Sequence, residues 1–224
     1  MPVTLHVWRV PPRRVGSALL RLARRRVPPG VTFAKFLGTA SGFRPGEADL
    51  TRYAAVTVSS GPVELPEWER LASASARVEL DPLHSRGTWS GREPFTGGTG
   101  HRSGGLTLAL TRARLRPARA MTFWRAIPPV VEELHAAPGL LAYFGMGEAP
   151  IGWQGTVSLW SDAADLARFA YRQPEHRAVI ARTPTDRWYA EELFARFAVR
   201  EISGDRAVLG WRSVDVGAGG ESGR

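Results

Sequence analysis

Residues 96–105 read Thr96-Gly-Gly-Thr-Gly-His-Arg-Ser-Gly-Gly105, and directly after them a pattern met at the N-terminus starts again. A stretch this rich in glycine favours neither helix nor strand and punctuates the chain. Beyond it, periodicity predicts a strand at Leu106–Leu115, a helix at Arg119–Ala136, and strands at Leu140–Gly147 and Trp153–Trp160. A helical segment spanning Ala163–Phe197 then precedes a terminal strand at Val199–Ile202. Its second helix is expected at Arg187–Phe197. Before the glycines the order is the same. A strand at Val3–Val10 leads to a helix at Arg13–Arg26 and strands at Val31–Thr39 and Tyr53–Ser59. A helix around Glu64–Ser75 and a strand at Arg77–Leu83 follow.

Short echoes support a duplication: Phe33-Ala-Lys-Phe36 against Leu141-Ala-Tyr-Phe144, and Val56-Thr-Val58 against Val157-Ser-Leu159. The order βαββαβ is the ferredoxin-like unit. Helices cover one face of its sheet and leave the other to be buried elsewhere. Two units set face to face bury both bare faces in a shared barrel. The fold class expected is therefore α+β: two ferredoxin-like βαββαβ repeats in one chain, forming a pseudo-dimeric α+β barrel around an apolar cavity. Residues 1–95 form the first repeat, 96–105 a linker and 106–214 the second repeat. The Gly- and Ser-rich end, 215–224, is expected to be a disordered tail.

The 224 residues suffice for one sizeable core or two small joined ones. Hydrophobic residues at 43% and charged residues at 23% describe an ordinary globular chain. No apolar run approaches the roughly 20 residues needed to cross a bilayer. The start, Met1-Pro-Val-Thr-Leu-His-Val-Trp8, alternates like a strand and does not read as a signal peptide, which predicts a cytoplasmic protein. Cysteine is absent, which excludes disulfides, iron–sulfur clusters and thiolate-ligated haem. The net charge is +9, almost wholly from arginine, with Lys35 the only lysine. The basic cluster with shape is Arg13, Arg14, Arg21, Arg24, Arg25 and Arg26, on a helix whose stripe of Val15, Ala18, Leu19 and Leu22 faces the core. Its arginines form either a solvated face or a peripheral contact with anionic lipid. Aromatic residues do not interleave them, so nucleic acid is not expected as a partner.

Five histidines are available to a metal: His6, His84, His101, His135 and His176. His101 lies in the linker, and His6 is in the first strand opposite the side taken by Leu5 and Val7. His135 suits a helix C-terminus, where a cation meets the helix dipole favourably. His84 follows a strand and is placed to line a cavity mouth. His176 is the best-placed ligand, because Pro174 starts a helical turn ahead of it. On the residues alone, a lone helical histidine is more often a surface or capping group. The run Gly87-Thr-Trp-Ser-Gly-Arg-Glu-Pro-Phe95 has no helix or strand period. It reads either as a loop pinned by a buried Trp89, or as glycines admitting a cofactor with Arg92 meeting an anionic group. Glu148 follows a strand end beside Met146, where a carboxylate is more often solvated than buried.

These segments, together with Lys35-Phe-Leu-Gly-Thr39, Leu110-Thr-Arg-Ala-Arg-Leu-Arg-Pro117, Phe123-Trp124, Gly145-Met-Gly-Glu148, Phe169-Ala-Tyr171 and Trp188-Tyr-Ala-Glu-Glu-Leu-Phe-Ala-Arg-Phe197, resemble the spheroidene monooxygenase family of acyclic-carotenoid ketolases. The resemblance runs from the first strand to about Phe197. It implies a haem-dependent monooxygenase that uses iron and O2 on a lipophilic small-molecule substrate. By that resemblance His176 is the axial metal ligand. Trp89, Arg92 and Arg187 join it in cofactor binding, with Arg196 an alternative clamp. No catalytic residue is placed. No flavin or nicotinamide motif is present, so reducing equivalents are expected from an electron-donor protein. The alternatives are a cofactor-free monooxygenase of the antibiotic-biosynthesis type, with Trp124, Tyr143 and Trp160 lining its pocket, and other haem chemistry such as aldoxime dehydration.

Overall fold

The structure is a computed structural model that describes residues 1–24, 26–42, 46–96, 98, 104–148, 153–172 and 188–212. In chain order its elements are β1 (Val3–Arg9), α1 (Val15–Arg24), β2 (Val31–Ala40), β3 (Ala48–Ser59), α2 (Pro66–Glu69) and β4 (Ala74–Gly87). They are followed by β5 (Thr107–Leu115), α3 (Ala120–Ala136), β6 (Leu140–Gly147), β7 (Trp153–Trp160), α4 (Ala163–Arg172) and β8 (Tyr189–Gly204). Short 3₁₀ turns at Pro12–Arg14 and Pro117–Arg119 precede α1 and α3, and a third, Arg206–Leu209, follows β8 shortly before the described chain ends at Arg212.

The eight strands close into an antiparallel barrel in the order β1-β3-β2-β6-β7-β5-β8-β4. Each half keeps its own order, β4-β1-β3-β2 and β8-β5-β7-β6, which is the ferredoxin-like arrangement twice over. The halves join where β2 pairs with β6 and β4 with β8. The pseudo-dimeric α+β barrel expected from the duplication is therefore present in one chain. Alternation decides which side chains enter. Val3, Leu5 and Val7 of β1, Ala54, Val56 and Val58 of β3, and Leu108 and Leu110 of β5 pack inside. The intervening Trp8, Phe36, Tyr53 and Ala55 face outward, under α1 and α2, with Trp68 stacked on Trp8. On the second half Trp160, Leu134, Leu166 and Phe169 form the equivalent layer beneath α3 and α4.

Several expectations change. Residues from Tyr189 onward are strand, not helix: Leu193, Ala195 and Phe197 point inward by twos while β4 and β5 pair on either side. Two ladders of hydrogen bonds override the helical propensity of Ala-Glu-Glu-Leu. The helix expected around Glu64–Ser75 shrinks to Pro66–Glu69, because Ala74 and Ser75 already pair with Arg9 and Trp8 of β1. On α1, Ala18 is buried, but Leu19 and Leu20 are exposed.

Among the described residues the barrel axis holds packed side chains where a cavity was expected. Eight strands enclose a space just wide enough for side chains to fill. No described helix is long and apolar enough to cross a membrane.

Candidate functional site

The barrel has two unlike ends. One is reached by the C-terminal ends of β4, β5 and β6 and by the start of β8, and the Gly87–Phe95 motif folds over it. Gly87 has φ +86°, and a side chain there would run into the Glu192 carbonyl, so the turn out of β4 requires glycine. Thr88 N–H donates to Glu192 O at 2.8 Å. Trp89 and Arg92 then pair through Trp89 N–H to Arg92 O, 2.8 Å, around Ser90 and Gly91. Both turn residues have positive φ, 55° and 71°, the signature of a tight two-residue hairpin. Trp89 is fully buried; its ring and that of Phe95 meet Phe33 edge-on, and Phe95 meets Phe197 at 5.0 Å.

Beneath this turn lie four charged side chains. Lys35 of β2 and Arg112 of β5 face inward with Phe33 and Leu110, as does Glu191 of β8 with Leu193. Glu148 follows directly after β6. Its carboxylate accepts from Lys35 Nζ at 2.8 Å, from Trp89 Nε1 at 2.9 Å and from Arg112 Nη2 at 3.2 Å. The second arm of Arg112 pairs with Glu191. Glu191 also accepts from Gly91 N–H at 2.7 Å and Thr88 Oγ1 at 3.0 Å, which ties the turn to β8. Lys35 Nζ donates to Ser90 Oγ at 2.6 Å as well. Two cations and two carboxylates balance, with the Arg112 and Glu148 side chains only 3% and 4% exposed.

Burial pushes the Glu191 carboxyl up, yet the Gly91 N–H, Arg112 and Thr88 outweigh it and hold the group down at about 2. Glu148 behaves alike: desolvation raises it, and Lys35, Trp89 and Arg112 bring it below the ordinary carboxylate value. Both stay ionised at neutral pH. A cleft of about 360 Å³ opens beside the turn, lined by Val27, Thr32, Phe33, Ala34, Lys35, Ser90 and Arg92. Arg92 lies over the Phe33 ring at 5.9 Å.

The sequence-predicted residues distribute unevenly. Arg92 lines this cleft and Trp89 forms its buried backing. His176 and Arg187 lie outside the described residues. His84 is exposed on β4, and His135 sits on α3 against Tyr143. His6 is buried on the outer face of β1, stacked on Trp8. Burial, and then Arg77, lower it to about 3. None of these three lines the cleft, and among the described residues no cluster of three or more His, Asp or Glu side chains could hold a metal ion. Lys35 and Arg92 suit the carboxylate edge of a haem, whereas no described residue there suits its iron. Arg112 and Glu191 were not anticipated, although alternation from Leu108 and Leu110 sets Arg112 on the inner face. The other signal was Lys35 itself, the one lysine among 30 basic residues.

A one-chain α+β barrel with a motif-capped mouth places the protein among the α+β-barrel proteins. Aldoxime dehydratase has the same fold, with a TM-score of 0.53 at 10% identity over 88% of this chain and 80% of that one. No family model matches the chain. Spheroidene monooxygenase of Rhodobacter capsulatus is 31% identical over 190 residues, 79% of this chain and 78% of that protein. The Rubrivivax gelatinosus enzyme of the same name is 32% identical over 187 residues, 79% and 72% of the two chains. The chain belongs to the spheroidene monooxygenase family, and with it to the oxidoreductases.

Proposed function

We propose that this protein is a haem-dependent monooxygenase that oxidises a lipophilic polyene, an acyclic carotenoid of the spheroidene class, first to the alcohol and then to the ketone. The observation that carries the reading is the identity to two spheroidene monooxygenases over 79% of the chain. The charged mouth adds to it. Phe33, Ala34 and Val27 give the cleft apolar walls for a hydrocarbon end, while Arg92 and Lys35 offer cations to carboxylates. The buried pairs behind them keep Lys35 and the Ser90–Gly91 turn in place, so the cleft is held in shape before anything binds. Haem and its iron are assigned through His176, with Arg187 as a further anion contact. O2 is the oxidant, and the electrons come from a donor protein.

The test is an absorption spectrum of protein produced with added haem, compared with His176→Ala, followed by incubation with spheroidene, O2 and a reductant. A Soret band that shifts or disappears in the variant is expected, with two products from the wild type: an alcohol heavier by one oxygen, and a ketone that carries that oxygen and two hydrogens fewer than the alcohol. A folded wild type that retains no stoichiometric haem, yet oxygenates its substrate, would overturn the haem assignment in favour of cofactor-free chemistry.

A further inference from the structure

The exposed face of α1 carries apolar side chains that the core does not use. Leu19 and Leu20 are 43% and 55% exposed, and Val27, just past the helix, is 49% exposed. Leu20 and Arg24 lie one helical turn apart on α1, and Val27 lies three residues beyond the end of the helix. Arg14 and Arg21 turn inward, to the Arg70 carbonyl and to Glu67. Arg13, Arg24 and Arg26 stay exposed around the leucines. No acidic residue occurs anywhere from Pro11 to Val27. Val27 is itself a wall of the cleft shared by Phe33, Lys35 and Arg92.

We infer that α1 docks the protein on an anionic bilayer, and that Val27 marks the point where a lipophilic substrate leaves the membrane for the cleft. Exposed leucines entering the acyl boundary and arginines meeting anionic headgroups are the two components that hold an amphipathic helix at an interface. The contact is reversible, because the apolar area is small and salt screens the arginine part. The docking rests on α1 alone; substrate delivery rests on the proposed activity.

The experiment is co-sedimentation of the full chain with vesicles of phosphatidylcholine, with and without phosphatidylglycerol, at low and high salt. Binding should require phosphatidylglycerol and weaken with salt. The pair Leu19→Ser, Leu20→Ser, and separately Arg13→Glu with Arg24→Glu, should each lower vesicle affinity about tenfold or more. All four positions are exposed, and an unchanged thermal melt would confirm intact folding. Oxidation of spheroidene dispersed in detergent should be unaffected by the leucine pair, while oxidation of spheroidene held in vesicles falls. Failure to bind anionic vesicles, or binding that neither pair alters, would overturn the inference. A wild type that binds vesicles but oxidises neither preparation would count against the proposed activity and leave the docking intact.

Discussion

The two ends of the barrel are closed by opposite means. At the end away from the motif, the turn Arg206–Leu209 crosses the opening and sends Val208 and Leu209, 3% and 0% exposed, into the same core as Val3 and Leu5. Trp211 bridges to Ala142, and Arg212 N–H reaches Leu141 O at 2.8 Å. That closure is apolar contact plus a few backbone bonds, and burial alone favours it. At the motif end the closure contains Lys35, Arg112, Glu148 and Glu191. Taking four charges out of water costs several kcal/mol per ion before their mutual attraction repays any of it. A plain lid would have been built like the Leu209 plug. The charged end instead fixes one geometry for the turn and for Lys35, and the Phe33–Arg92 cleft opens there.

Breaking the charged end should cost most. Glu148→Ala removes the acceptor of Lys35, Arg112 and Trp89 Nε1 together, leaving buried donors without their carboxylate. A destabilisation of about 3–5 kcal/mol is expected, read from urea unfolding, together with loss of oxygenation in the protein that remains folded. Leu209→Ala tests the other end. It leaves a cavity worth about 2–3 kcal/mol, towards the low side because a single 3₁₀ turn can settle inward. Turnover at a temperature where both proteins are folded should match wild type. Equal loss of turnover from the two substitutions would show that the ends do not differ in function.

Much of this contrast was open to sequence reasoning and part was not. The restart after Gly105 gave the duplication, and with it the barrel, because strand order follows from connectivity once two βαββαβ units are recognised. Strands β6 and β7 fall where alternation put them. β8 was misread because Tyr-Ala-Glu-Glu-Leu satisfies local helical propensity, and only its pairing with β4 and β5 decides otherwise. The charged cluster draws Lys35, Arg112 and Glu191 from three strands and Glu148 from the residue after a fourth, positions up to 156 residues apart, a proximity that barrel closure creates. The buried Trp89 was one of two readings of the motif. Its partner Glu148 looked like a solvated loop carboxylate until the fold closed over it.

The gentlest probe of the comparison is acid. Glu191 is held at about 2 in the folded protein, below its ordinary value of 4.5. Its contribution to stability is therefore complete above about pH 4.5 and is lost as pH falls from there towards 2. Glu148, also depressed, shares that direction. His6 works earlier. Its folded value near 3, against 6.5 unfolded, withdraws stability as pH falls below 6.5. Glu191→Gln keeps acceptors for Gly91 and Thr88 but cannot titrate. Between pH 4.5 and 2 its stability should fall less steeply than wild type, by up to one proton's slope, about 1.4 kcal/mol per pH unit. Between pH 6.5 and 4.5 the two curves should run parallel, since His6 is untouched. Leu209→Ala should follow the wild-type curve at a constant offset throughout, because its end of the barrel is closed by Val208 and Leu209. A Glu191→Gln curve parallel to wild type below pH 4.5 would mean that Glu191 is not what pins the turn.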